Sequence, residues 1–202
     1  MKILRREYLL RAGAFAKGPC WKERLDEITR AVESVVWPKG AKTFTLYPES
    51  GKKRGKGNGV GPIKDACMAS LKCAGWSLET KTGLPGAKRP GPVDAAYNVE
   101  GKLLCLEWET GNISSSHRAL NKMCVGMLAG KFIGGVLILP TRCMYKYLTD
   151  RVGNYEEIEP YFDVWKNLKL YEGVLMVIAI EHDALSKDVP RIGKATDGRA
   201  LQ

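Results

Sequence analysis

Histidine is nearly absent from this 202-residue chain: His117 and His182 are the two present, and they lie far apart in sequence. A zinc site therefore has little to build on. Cysteine is present, but no CxxC pair occurs among the six positions: Cys20, Cys67, Cys73, Cys105, Cys124 and Cys143. This spacing is typical of small buried residues in a reducing compartment and not of a disulfide framework.

Long apolar runs are also lacking. The longest, residues 174–180, is too short to span a bilayer. Arg5, Arg6 and Glu7 interrupt the first apolar stretch, which makes it a poor signal peptide. We therefore expect a cytoplasmic protein with no membrane partner. Its length and its 45% hydrophobic content favour a single domain over residues 1–202, with a loose C-terminal arm at 188–202.

Acidic residues are scarce in the first half of the chain. Residues 1–90 hold 19 Lys and Arg against 8 Asp and Glu, a net charge of +11, whereas residues 91–202 hold 13 against 14, a net of −1. This division suits a polyanionic substrate that is held by one region and cut by another, although a basic surface can also serve solubility alone. The glycine- and lysine-rich loop at 51–59 is either a solvated turn or an arm that contacts phosphates.

The hydrophobic pattern predicts an α/β fold with a central mixed β-sheet flanked by helices. Helices are predicted over residues 19–36, from Pro62 onward, and over 117–129, 142–148 and 155–168, the last kinked or restarted at Pro160. Strands are predicted over 94–98, 103–109, 134–139 and 174–180, the first two forming a hairpin that turns at Glu100-Gly101.

Three acidic residues, Asp94, Glu107 and Glu109, lie on the two strands of this hairpin. Side chains alternate along a strand, so Glu107 and Glu109 share a face, Trp108 points the other way, and pairing can bring Asp94 beside them. Such a pattern can arise by chance, but carboxylates at the end of a buried strand need a positive counter-ion. Mg²⁺ prefers oxygen ligands, so the cluster predicts metal-assisted phosphodiester hydrolysis.

The segment after the hairpin offers candidate DNA contacts. Residues 110–116 are predicted to form a turn and a helix cap. On the following helix, Arg118, Asn121 and Lys122 form a polar stripe that is either solvated or faces DNA bases. Its apolar stripe, residues 120–128, is a core face or a dimer face. Asp150-Arg151 is either a cap with a surface ion pair or a pair that contacts a G·C base pair.

A long motif within this region resembles a known family. Residues 107–118, Glu-Trp-Glu-Thr-Gly-Asn-Ile-Ser-Ser-Ser-His-Arg, are similar to the catalytic and recognition segment of the BamHI family of type II restriction endonucleases. Further matching blocks lie at residues 59–64, 91–94, 147–152, 159–162 and 194–198. The resemblance implies a PD-(D/E)xK restriction-endonuclease-like core and Mg²⁺-dependent cleavage of both strands at the palindrome GGATCC by a homodimer.

The resemblance also implies residue roles. Asp94 and Glu107 would bind divalent metal, two ions per active site, with Glu79 and the Trp108 carbonyl as further ligands, and Ca²⁺ would bind without supporting cleavage. Glu109 would act as the general base or orient the attacking water. Lys122 on the polar stripe is a further candidate DNA contact. The other residues placed on DNA by the resemblance are Asn112, Ser114, Arg118, Asp150, Arg151, Asp197 and Gly198.

Two other classes of function share these features. A catalytically silent DNA-binding protein would bind the site with Ca²⁺ and yield no product with any divalent ion. A non-specific nuclease or junction resolvase would use the same metal chemistry but nick DNA at random positions.

Overall fold

A six-stranded mixed β-sheet forms the centre of the molecule, in a computed structural model that describes residues 1–53, 55–84, 91–149 and 152–193. In spatial order its strands are β1 (Lys2–Ala12), β7 (Gly173–Glu181), β6 (Phe132–Pro140), β5 (Lys102–Trp108), β4 (Val93–Val99) and β3 (Ser77–Thr80). The central strands β7, β6 and β5 are parallel, and the outer pairings are antiparallel. A short parallel pair, β2 (Thr45–Leu46) with β8 (Ala184–Leu185), lies outside this sheet.

Helices cover both faces of the sheet. Those in the described ranges are α1 (Pro19–Glu33), α2 (Gly61–Cys73), α3 (Ile113–Leu128), α4 (Arg142–Tyr145), α5 (Tyr155–Ile158) and α6 (Phe162–Lys166). None of them is long and apolar enough to cross a membrane. The predicted fold class is therefore confirmed.

Alternation along the buried central strands builds two cores. Val136 and Ile138 of β6 pack in one cluster with residues of α1 and α2. Leu137 and Leu139 point the other way and pack with α3, through Leu120 and its neighbours. Because both faces are covered, β6 and β7 are almost continuously apolar, as their sequences predict.

The structure corrects several predicted helix bounds. Helix α3 begins at Ile113 and not at 117, because the Asn112 side chain caps it by accepting from the Ser115 N–H at 3.3 Å. Helix α1 ends at Glu33. The helix predicted over 142–148 is the single turn α4, and the one predicted over 155–168 is divided by a 3₁₀ turn at Glu159–Tyr161, which contains Pro160.

The apolar stripe of α3 divides between core and solvent. Leu120, Met123, Cys124 and Met127 are buried against the sheet. Leu128, predicted on the same stripe, is 60% exposed, because it lies at the last turn, where the helix extends past the core.

One buried side chain, Asn58, joins three segments that are distant in sequence. Its Nδ2 donates to the carbonyl oxygens of Tyr47 at 2.9 Å and Tyr147 at 2.8 Å, and its Oδ1 accepts from the Ile192 N–H at 3.1 Å. The side chain is fully buried. These bonds hold together the stretch 47–59, the residues that follow α4 and the segment near residue 192.

Glu49 also holds in place the glycine- and lysine-rich loop at 51–59, called the basic loop below. Its carboxylate accepts hydrogen bonds from the Arg191 guanidinium at 2.8 Å and from the Gly57 N–H at 3.0 Å. The Arg191 hydrogen bond, with help from Gly57 and Lys56, lowers the pKa of Glu49 to about 2. Lys52 and Lys53 remain exposed on the anchored loop.

Candidate active site

The hairpin register brings the first two acidic residues together. Strands β4 and β5 pair with Ala95 opposite Leu106, so the next position sets Asp94 beside Glu107. The Trp108 N–H donates to Asp94 Oδ2 at 2.8 Å. This bond ties the Asp94 carboxylate to the end of β5, beside Glu107.

Glu109 follows directly after β5 and is 8% exposed. Its N–H donates to the Ile138 carbonyl at 2.8 Å, which continues the parallel pairing with β6, and its Oε1 accepts from the Gly111 N–H at 2.6 Å. Trp108, between the two glutamates, packs into the opposite core, as strand alternation predicts.

All three carboxylates line one cavity of about 610 Å³, in the company of Lys64, Arg118 and Lys122. The cavity lies where the end of the hairpin meets the first turns of α3. Concave sites with a few convergent polar groups are the usual places for chemistry. The structure thus brings Asp94, Glu107 and Glu109 to one cavity.

Two lysines neutralise the paired strand carboxylates. Lys64 of α2 forms an ion pair with Asp94, and Lys122 of α3 forms one with Glu107. The helices belong to opposite faces of the sheet, so each face contributes one ammonium group. Within the described part of the chain, no three or more Asp, Glu, His or Cys side chains are placed so that they could hold a metal ion together. The positive counter-ions that the cluster requires are ammonium groups.

Burial and mutual repulsion raise the pKa values of the two glutamates. For Glu107, burial raises the pKa most and the neighbouring Asp94 raises it further, while Lys122 lowers it. For Glu109, burial again dominates, the Gly111 N–H opposes it, and the charges of Glu107 and Asp94 add to the increase. Each carboxyl group is thus more ready to hold a proton than a free glutamate.

The donor set fits a hard divalent cation. Asp94 Oδ2 is engaged by the Trp108 N–H, which leaves Oδ1 directed to Lys64, and Glu107 Oε1 is directed to Lys122. Carboxylate oxygens from two adjacent strands are therefore available to any cation that displaces the lysines. Glu79 stands apart: its side chain is 67% exposed, outside the cavity lining, with its Oε1 at 4.0 Å from Lys64 Nζ.

The candidate DNA contacts on α3 divide into two groups. Asn112, Ser114 and Arg118 are exposed along the first turns of the helix, and Arg118 donates to Ser115 Oγ at 2.8 Å. Lys122 instead points into the cavity, 17% exposed, and also contacts the Pro92 carbonyl at 3.1 Å.

Four of the predicted base-contacting residues lie outside the described residues: Asp150, Arg151, Asp197 and Gly198. The segment that follows Arg151 is described, and the Gly153 N–H donates to the Gly111 carbonyl at 2.8 Å. This bond attaches that segment to the turn before α3.

Lys64 was not predicted as a site residue. It lies 30 positions before its partner Asp94, so no local pattern links them. The available signals are its place in the first turn of α2, next to the buried Ile63, and its inclusion in the matching block at residues 59–64. The His117 ring packs on the rings of Tyr161 and Trp165, with centroids at 4.8 and 5.6 Å.

Known proteins resemble this chain over most or all of its length. The type II restriction enzyme OkrAI of Oceanobacter kriegii is 50% identical over 202 residues, which cover 100% of each chain. The type II restriction enzyme BamHI of Bacillus amyloliquefaciens is 35% identical over 185 residues, which cover 88% of this chain and 82% of that one.

The fold has a solved counterpart as well. The restriction endonuclease BglII, in complex with a DNA 16-mer, has a TM-score of 0.59 at 11% identity, with 95% of this chain and 88% of that chain covered. The sequence model of the family described as restriction endonuclease BamHI matches residues 1–199. The chain therefore belongs to the BamHI family of type II restriction endonucleases.

Proposed function

We propose that this restriction endonuclease cleaves both strands of double-stranded DNA at 5′-GGATCC-3′ in a Mg²⁺-dependent reaction. The observation that carries the proposal is the convergence of Asp94, Glu107 and Glu109 on one cavity beside the exposed side chains of α3. The relatives named OkrAI and BamHI support the choice of site, through the 107–118 motif that the family resemblance rests on.

The chain's own groups account for the steps of phosphodiester hydrolysis. Asp94 and Glu107 would hold the cation, and Mg²⁺, when bound, would supply Lewis-acid stabilisation of negative charge on the phosphate oxygens. Glu109, with its pKa raised by burial, accepts the proton of the attacking water as the water oxygen bonds to phosphorus. The bond to the leaving oxygen breaks in the same step, and that oxygen takes a proton from a solvent water. The Gly111 N–H keeps the Glu109 carboxylate in place.

Base contacts come from the residues placed on DNA by the family resemblance. Asn112, Ser114 and Arg118 project from the start of α3, which lies directly after the catalytic strand β5. We infer that Asp150, Arg151, Asp197 and Gly198 complete the contacts from neighbouring segments. Arginine suits guanine O6 and N7, and aspartate suits the cytosine amino group.

A palindromic site requires a two-fold protein, and we propose a homodimer. Helices α3 and α6 lie side by side, since Trp165 Nε1 donates to Asn121 Oδ1 at 3.0 Å. Exposed apolar side chains in this region are Leu128 on α3 at 60%, Val164 on α6 at 67%, and Tyr161, in the 3₁₀ turn before α6, at 49%. Burial of these apolar side chains against a second copy would give the interface its stability. We place the reaction in the bacterial cytoplasm, where the DNA substrate is found.

Plasmid digestion tests the proposal. With Mg²⁺, a plasmid that carries one GGATCC should become linear, with ends that map to that sequence, and a plasmid with one base pair of the site changed should stay intact. With Ca²⁺ in place of Mg²⁺, a duplex with the site should be bound and not cut. Intact DNA at enzyme excess would indicate a silent DNA-binding protein, and random nicking would indicate a non-specific nuclease.

A further inference from the structure

The ion pairs Lys64–Asp94 and Lys122–Glu107, together called the lysine clamp, occupy the carboxylate oxygens that a cation would need. Asp94 Oδ2 accepts a hydrogen bond from the Trp108 N–H, and the other carboxylate oxygen, Oδ1, accepts one from Lys64 Nζ. Both lysine side chains are largely buried, 23% and 17% exposed, so these are not loose surface contacts. A divalent ion and the lysine clamp therefore compete for the same atoms.

We propose that Lys64 and Lys122 are exchangeable counter-ions that couple metal binding to DNA binding, an inference that rests on the proposed function. Without DNA, the ammonium groups hold the carboxylates and weaken the binding of a divalent ion. A DNA phosphate that enters the cavity offers the lysines another anion to pair with. The carboxylates are then released to the metal, so each ligand strengthens the binding of the other.

The geometry supports such an exchange. Lysine carries a compact charge on a flexible four-carbon stem, so its ammonium group can move between neighbouring anions by rotamer change. Lys64 already has a second acidic neighbour, Glu79 Oε1 at 4.0 Å, and Lys122 has the Gly91 and Pro92 carbonyls at 3.4 and 3.1 Å. Both ammonium groups line the cavity that would receive the phosphate.

Calcium titration calorimetry on the free protein tests the competition. Lys64→Met and Lys122→Met keep the length of the apolar stem and remove the ammonium group. Each should bind Ca²⁺ roughly fivefold tighter than the wild type, because no ion pair has to be broken. Lys72→Met, at the exposed end of the same helix α2, should leave the affinity unchanged. Unchanged or weaker Ca²⁺ binding in both clamp variants would overturn the proposal.

The coupling has its own readout. A GGATCC duplex should increase the Ca²⁺ affinity of the wild type by a larger factor than that of the double variant Lys64→Met/Lys122→Met. Equal factors in the two proteins would show that the lysines do not carry the coupling. These are equilibrium measurements, so they remain informative even if the Mg²⁺ digest fails and the proposed cleavage is rejected.

A measurement on the wild-type protein tests the proposal without relying on variants that fold correctly. Reductive methylation followed by mass spectrometry reports how accessible each lysine is. In the free protein, Lys64 and Lys122 should react slowly, and saturating Ca²⁺ should make both react faster, whereas exposed Lys72 should react at the same rate in either condition. Reaction rates of Lys64 and Lys122 that do not respond to Ca²⁺ would contradict displacement of the clamp.

Discussion

At the scale of single residues, Glu109 is a deeply buried carboxylate that the proposed hydrolysis uses as its proton acceptor. Replacement by glutamine keeps an acceptor for the Gly111 N–H but removes the proton acceptor. We expect Glu109→Gln to lower the cleavage rate by about 10²–10⁴-fold. Single-turnover cleavage of a GGATCC duplex measures the rate. If Glu109→Gln kept the cleavage rate of the wild type and bound the site equally well, Glu109 would not be the proton acceptor.

Asn58 provides a test of stability at the same scale. Asn58→Ala removes three hydrogen bonds, those to the carbonyls of Tyr47 and Tyr147 and the one from the Ile192 N–H, so unfolding in urea should require about 3 kcal/mol less free energy than in the wild type. The control is Asn98→Ala, which removes one exposed turn bond to the Gly101 N–H and should cost less than about 1 kcal/mol. Similar losses in both variants would contradict the joining role of Asn58.

At the scale of elements, α3 packs on β6 at a glycine. A methyl group at Gly135 would stand 2.5 Å from Met123 Sδ, closer than real contacts allow. Gly135→Ala should push α3 outward, cost about 1–3 kcal/mol of stability and slow cleavage, because α3 carries Lys122 and Arg118. Thermal unfolding and single-turnover kinetics measure the two effects. An unchanged melting temperature would show that α3 tolerates the added volume.

The anchor of the basic loop predicts a pH dependence. The pKa of Glu49 is about 2 in the folded protein, below its ordinary 4.5, so its ionised form favours the folded state. The stability it contributes is present above pH 4.5 and is lost as the pH falls toward 2. In urea titrations, Glu49→Gln should therefore lose less stability than the wild type over this interval. An equal loss in the two proteins would show that Glu49 is not the group that titrates.

Local sequence patterns predict the hairpin, but they do not predict contacts between segments that are distant in sequence. The hairpin, its turn and the sharing of one face by Glu107 and Glu109 follow from alternation, so the sequence predicts them. Strand β1 is not predicted, because the charges of Arg5, Arg6 and Glu7 hide its pattern at the edge of the sheet. The pairing of Lys64 with Asp94 is set by the packing of α2, which no local motif encodes.

At the scale of the whole molecule, we propose that the homodimer forms through the exposed apolar side chains of α3 and α6. Leu128→Lys should weaken the proposed homodimer and shift sedimentation toward the monomer, because an ammonium group would be buried at the interface. Tyr171→Lys, a change at another exposed position, serves as the control. Dimers that persist in Leu128→Lys would place the interface on another surface.

Only residues 109–112 separate the last residue of β5 from the first residue of α3. Hydrogen bonds from Gly111 and Gly153 restrain even this short connection. In the proposed mechanism, this short and restrained connection couples the position of the catalytic carboxylates to that of the base-contacting helix. Attempts to engineer a new target sequence by repositioning α3 should therefore sacrifice turnover, and substitutions at the tips of its side chains are the more promising route.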